Sequence, residues 1–219
     1  MAHFTPDSVA APTVLTVPGL NSSGPSHWQS LWEASRPDTV RAELGMWTCP
    51  HRNSWVTKLD QAIRTARAPV ILVAHSLGCQ AVAWWAELSG QPYGWPVAGA
   101  LLVAPADVDR RDAPAELSGF APTPAGALPF PSILVASRDD PWIEIGRARS
   151  LAGKWGSHFV DVGTLGHINA ASGIGDWIEG QALLHRLIDA TAGDVPPTQA
   201  AVRAVLTTAL AEERLAPGL

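Results

Sequence analysis

The segment VAHSLGC, residues 73–79, sets one hydroxyl between small residues: Ala74 lies two positions before Ser76 and Gly78 two after it. Small residues at those places are what a sharp strand-to-helix turn needs, because its crowded backbone leaves no room for larger side chains. Such a turn lifts the serine oxygen above the end of a sheet and puts the next N–H, that of Leu77, at the positive start of a helix, where it can stabilise an oxyanion. Glycine is usual at both flanking places, so Ala74 departs from the pattern by one methyl group. A serine hydroxyl is a poor nucleophile near neutral pH. Attack therefore requires a general base, and the base requires an acid to orient it.

Both partners are expected downstream, the acid before the base. SRDDPW at 137–142 ends an apolar run in two aspartates, and GTLGHINAASG at 163–173 places a histidine in a glycine-rich turn. Of the seven histidines, His3, His27 and His51 precede the serine, and His75 adjoins it and is expected to point away. His158 opens a strand and His185 sits in a helical pattern, which leaves His167 as the base. Asp140, followed by Pro141, occupies the strand-end turn and is preferred as the acid. Asp139 is expected to face solvent or cap the next helix, and Asp107, after the preceding strand, is the outside candidate.

A second oxyanion donor is expected from VPGLNSSGPSHW, residues 17–28, where Gly19 permits a sharp turn and leaves the Leu20 N–H free to face the serine. Asn21 is the alternative donor. Asn21 and Trp28 are candidate substrate-binding residues, and His27 could line the same pocket. This chemistry needs no metal or cofactor.

Residues of this kind must be held at one edge of a sheet. Apolar, β-rich runs recur at 13–19, 39–44, 69–75, 97–105, 132–137 and 158–163, and the central ones are continuous, as in strands covered on both faces. Helical patterns fall between them at 27–35, 54–66, 77–89, 141–155 and 176–190. This alternation predicts an α/β fold: a three-layer α/β/α sandwich around a mostly parallel sheet of about six strands. In such sheets ligands bind at the carboxyl ends of the strands, where the serine, acid and base would all emerge. The proline-rich stretch 106–131 reads as a lid, a pocket wall or packed coil. The expected organisation is one domain over 12–190 and a C-terminal extension, 191–219, whose short amphipathic helix would dock on its own domain or form a homodimer.

The 219 residues carry a net charge of −5 and no cluster of Lys and Arg, which argues against nucleic acid as a partner. No apolar run is long enough to span a membrane and no leader pattern opens the chain, so a cytoplasmic location is expected. Cys49 and Cys79 read as buried, reduced thiols. Ten Trp against one Tyr is a skewed aromatic choice that favours large rigid apolar surfaces.

Four segments in order, VPGLNSSGPSHWQSLWE, VAHSLGC, LPFPSILVASRDDPW and GTLGHINAASGIGDW, resemble the small serine hydrolases of the YdeN type, within the α/β-hydrolase superfamily. That family also includes the human retinoblastoma-binding serine hydrolase, and the resemblance covers residues 13 to about 190. It implies a compact α/β-hydrolase fold, a Ser76, Asp140 and His167 triad, and hydrolysis of small carboxylic esters. Amide hydrolysis or acyl transfer at the same residues, and a fold kept for binding without turnover, stay open. Association with retinoblastoma protein is not implied, because LGCQA at 77–81 lacks the acidic residue of an L-x-C-x-E segment.

Overall fold

Each of the six β-rich runs forms a strand: β1 (Thr13–Val17), β2 (Thr39–Arg41), β3 (Val70–His75), β4 (Val97–Val103), β5 (Ser132–Ala136) and β6 (His158–Asp161). The computed structural model describes residues 11–67 and 69–192. The strands join one sheet in the order β2-β1-β3-β4-β5-β6, and every pairing is parallel. The chain therefore runs from β1 outward to β2 and then returns across β1 to β3. This reversal opens a crevice between the carboxyl ends of β1 and β3, the place where open parallel sheets accept ligands.

Helices α1 (Trp28–Ser35) and α6 (Ile178–Thr191) cover one face; α2 (Arg52–Thr65), α3 (Leu77–Ser89) and α5 (Ile145–Trp155) cover the other. The strands serve both layers by alternation. Val70, Leu72 and Ala74 of β3 join the α2–α3–α5 side, while Ile71 and Val73 join the α1–α6 side. All six residues of β3 are buried, which explains its unbroken apolar sequence.

Element boundaries differ from expectation where a loop continues an apolar run. Five of the strands end one to three residues before their apolar runs do, since residues such as Pro18 and Gly19, or Ser137, already belong to the turns that carry the site, while β3 ends at His75 as expected. Helix α5 starts at Ile145, not at 141, because residues 141–144 form a turn in which the Asp140 carboxylate accepts the Trp142 N–H at 2.9 Å. The stretch 106–131 is packed wall. It contains a short helix, α4 (Ala115–Ser118), and buries Leu117, Phe120, Leu128 and Phe130. Cys79 is buried as expected, but Cys49 is exposed.

The abundant tryptophans act as donors as well as bulk. Indole N–H groups reach loop carbonyls from Trp28 to Ile168 (2.8 Å), Trp32 to Asp176 (2.7 Å), Trp55 to Gly45 (2.8 Å), Trp84 to Phe120 (2.7 Å) and Trp155 to Pro124 (2.8 Å). Each ties a loop to a helix across the core, satisfying a polar group that burial would otherwise leave unpaired. Among the described residues no helix is long and apolar enough to cross a membrane. The expected amphipathic helix of the C-terminal extension lies outside the described residues.

Candidate active site

Ser76 sits between β3 and α3 with φ 55° and ψ −122°, a backbone conformation that non-glycine residues rarely adopt. Its own backbone fixes it there: the Ser76 N–H donates to Val103 O and Ser76 O accepts from the Cys79 N–H, both at 3.0 Å. The strain is held by the packed elements on either side, a pattern concentrated at functional sites. Gly78 is required by close approach, since a Cβ there would lie 2.2 Å from the Val17 carbonyl oxygen. Ala74 lies on the sheet, fully buried in the α2–α3–α5 core, where its methyl group is accommodated.

The structure brings Ser76, His167 and Asp140 into one line. His167 Nε2 is 2.9 Å from Ser76 Oγ, and His167 Nδ1 is 2.9 and 3.0 Å from the two Asp140 carboxylate oxygens. Asp140 is 9 % exposed, so little water competes for the imidazole. An imidazole bridging a hydroxyl and a carboxylate can take the hydroxyl proton while the carboxylate fixes its tautomer. Asp107 is elsewhere, paired with Arg147 at 3.3 Å.

The loop carrying His167 is pinned residue by residue. Ser137 Oγ accepts the Leu165 N–H at 2.8 Å and donates to Asp139 at 2.6 Å; Asp139 in turn accepts the Gly166 N–H at 2.8 Å. Asp139 is exposed but binds back onto the loop, and no side-chain cap holds the start of α5. The Ser137 hydroxyl and the Gly166 N–H hold its carboxyl below the usual range. On the far side, His75 Nε2 is 2.9 Å from the His167 carbonyl oxygen; a carbonyl only accepts, so the His75 proton is on Nε2. The Trp28 indole holds the next carbonyl, Ile168 O. The two aspartates of the DD pair thus divide the work, Asp140 at the ring and Asp139 at the loop.

A cavity of about 240 Å³ opens over Ser76, its lining including the polar residues Asn21, Ser22, His27 and Asn169 and the apolar residues Leu20, Ala106, Leu117 and Trp142. His75, Ser76 and His167 form the rest of its lining. Leu20 and Asn21 line the cavity, but Trp28 does not: it is 1 % exposed and packed against Trp32 and Trp177. Its position at the start of α1 turns it inward to the α6 layer. Gly19 is pressed onto the turn, where a Cβ would meet Ser76 Cβ at 2.8 Å and Leu77 N at 3.1 Å. The Leu20 peptide is thereby held beside the serine, and the loop's own backbone bonds are made by its neighbours, Asn21 N–H to Trp47 O and Ser22 N–H to Gly19 O. The Leu77 N–H opens α3, where the first amides have no carbonyl within the helix.

His75 lines the cavity, contrary to the expectation that it points away, and Ser22, Ala106, Leu117, Trp142 and Asn169 had not been singled out. Trp142 stood beside Asp140 in SRDDPW, a local signal; Leu117 gave none, being brought in by the fold of a long loop. Burial, with His167 and His27 nearby, keeps the His75 ring well below the ordinary histidine range.

A family model described as serine hydrolase matches residues 14–186. Among solved structures, a YdeN-like hydrolase from Pectobacterium atrosepticum is 34 % identical, with 82 % of this chain and 91 % of that chain covered and a TM-score of 0.73. The ydeN gene product of B. subtilis is 19 % identical, covering 81 % of this chain and 99 % of that chain, with a TM-score of 0.65. A monoacylglycerol lipase from Paleococcus ferrophilus shares the fold at 12 % identity, 82 % and 96 % coverage and a TM-score of 0.61. No curated protein sequence matches the chain.

Proposed function

Because the chain belongs to the serine hydrolase family, with an α/β-hydrolase fold, we propose that it hydrolyses small carboxylic esters through an acyl-enzyme on Ser76. The observation that carries this reading is the hydrogen-bonded line from Ser76 Oγ through His167 to Asp140 beneath the cavity. Ser76 Oγ attacks the ester carbonyl carbon as His167 Nε2 takes its proton, and Asp140 stabilises the imidazolium. The carbonyl oxygen, now an oxyanion, receives the N–H groups of Leu77 and Leu20. The tetrahedral adduct expels the alcohol, which leaves with the proton from His167. Water, deprotonated by His167, then attacks the acyl carbon; the carboxylic acid departs and Ser76 recovers its proton.

The cavity size supports short acyl chains. At about 240 Å³ it is smaller than the roughly 300–1,000 Å³ usual for drug-sized ligands, and the apolar Leu117 and Trp142 line it. A series of p-nitrophenyl acetate, butyrate and decanoate tests both parts. The reading expects turnover of the first two, a much lower kcat/KM for the third, and loss of turnover in Ser76→Ala. Undiminished activity in that variant would refute it; a preference for decanoate would refute the chain-length part.

A further inference from the structure

His27 divides its two ring nitrogens. Nδ1 accepts the Gln29 N–H at 3.2 Å and so caps α1. A neutral imidazole whose Nδ1 accepts carries its proton on Nε2. That Nε2 is buried and has no hydrogen-bond partner, an uncommon state for a donor inside a protein. His27 is 5 % exposed and lines the cavity over Ser76. Its ring lies 4.8 Å from that of His75, which lies 4.8 Å from that of His167, so a row of imidazoles leads from the β1–α1 loop to the base.

The donor is neutral. Burial, and then the nearby His167 and Arg41, bring the His27 pKa down to about 4. A neutral N–H suits an uncharged oxygen acceptor and gives a carboxylate no ion pair. Asn21, Ser22 and Asn169 line the same cavity, together with the apolar Leu117 and Trp142. A purely alkyl ester would leave the buried donor unpaired.

We propose that His27 is a substrate-recognition residue: a small tilt of its ring, which lines the cavity, uncovers the Nε2–H so that it donates to a second oxygen of the ester, an ether, hydroxyl or carbonyl oxygen beside the scissile group. This rests on the reading of Ser76 as the nucleophile of an esterase and names the substrate class that such a site takes: short esters with a further oxygen.

Two isosteric pairs test it, one for each side of the ester. On the acyl side, p-nitrophenyl methoxyacetate is compared with p-nitrophenyl butyrate; on the alcohol side, 2-methoxyethyl acetate with butyl acetate. Each kcat/KM is divided by the rate of hydroxide hydrolysis of the same ester, which removes intrinsic reactivity. The wild-type protein should favour the oxygen-bearing member of at least one pair by about three- to tenfold, the worth of one neutral hydrogen bond. His27→Asn keeps an acceptor near the Nδ1 position and so the helix cap, but withdraws the Nε2 donor, and should lose the preference. His27→Gln places an amide N–H near the Nε2 position and should keep it while losing the cap, seen as a lower urea midpoint. Equal handling of both pairs by the wild type, or an unchanged preference in His27→Asn, would overturn the inference alone. Failure to turn over any of the four esters would overturn the esterase reading and the inference with it.

Discussion

At the scale of single residues, the groups proposed to react stand out in the sequence because their signal is local. Ser76 is marked by its small flanking residues and the runs on either side, and His167 by its glycine-rich turn. Their neighbours His75 and Asp139 were not legible in these roles, since each role depends on a residue far along the chain: His75 holds the His167 carbonyl, 92 positions on. Asp140 allows a sharp test. Asp140→Asn leaves the shape of the site but supplies a donor where the imidazole N–H needs an acceptor, so kcat should fall about 10⁴-fold. Steady-state kinetics on p-nitrophenyl acetate, with circular dichroism to confirm folding, checks this; a loss of less than tenfold would remove Asp140 from its proposed place.

Elements place these residues, and two contacts decide how well. The first is the seat of α3 on β1, where Gly78 lies against the Val17 carbonyl. Gly78→Ala forces the helix start away, which should cost about 1–3 kcal/mol of stability and reduce kcat as the Leu77 N–H shifts; urea denaturation and kinetics read the two effects. The second is the loop that carries His167. Asp139→Ala removes the acceptor for the Ser137 hydroxyl and the Gly166 N–H, whereas Asp139→Asn keeps a carbonyl oxygen there. We expect kcat to fall of order tenfold in the alanine variant with KM little changed, and to recover in the asparagine variant, because small displacements of the base are costly. Periodicity located these elements but not their ends: β1 stops at Val17 and α5 begins at Ile145 because a carboxylate or a crowded turn claims the next backbone groups, which apolar patterning does not register.

For the molecule as a whole, the alternation of strands and helices foretold a layered α/β sheet, yet the order β2-β1-β3 that opens the crevice was invisible, since strand neighbours are chosen by long-range pairing. The tryptophan excess was visible, but its use as a set of indole staples on loop carbonyls appeared only with the fold. Whole-molecule stability should also depend on pH through the buried imidazoles. His27, at about 4, and His75, well below 6.5, are held neutral in the folded protein, while the unfolded chain protonates near 6.5. The unfolded state therefore binds more protons below pH 6.5, so stability is full above that value and falls as pH drops toward 4. His27 alone accounts for up to about 3 kcal/mol of that loss. Urea midpoints at pH 7.5, 6 and 5 should decline in the wild type and decline less in His27→Asn; parallel declines would contradict the assignment.

The central claim is that Ser76 is a nucleophile activated by His167. Intact-mass and peptide-level mass spectrometry after exposure of the folded protein to a fluorophosphonate tests it directly, since that reagent is attacked by an activated serine and stays bonded to it. The account predicts one adduct per chain, on the peptide that contains Ser76, absent in Ser76→Ala and formed far more slowly in His167→Ala. An unlabelled wild-type protein, or an adduct that persists at the same rate in Ser76→Ala, would contradict it.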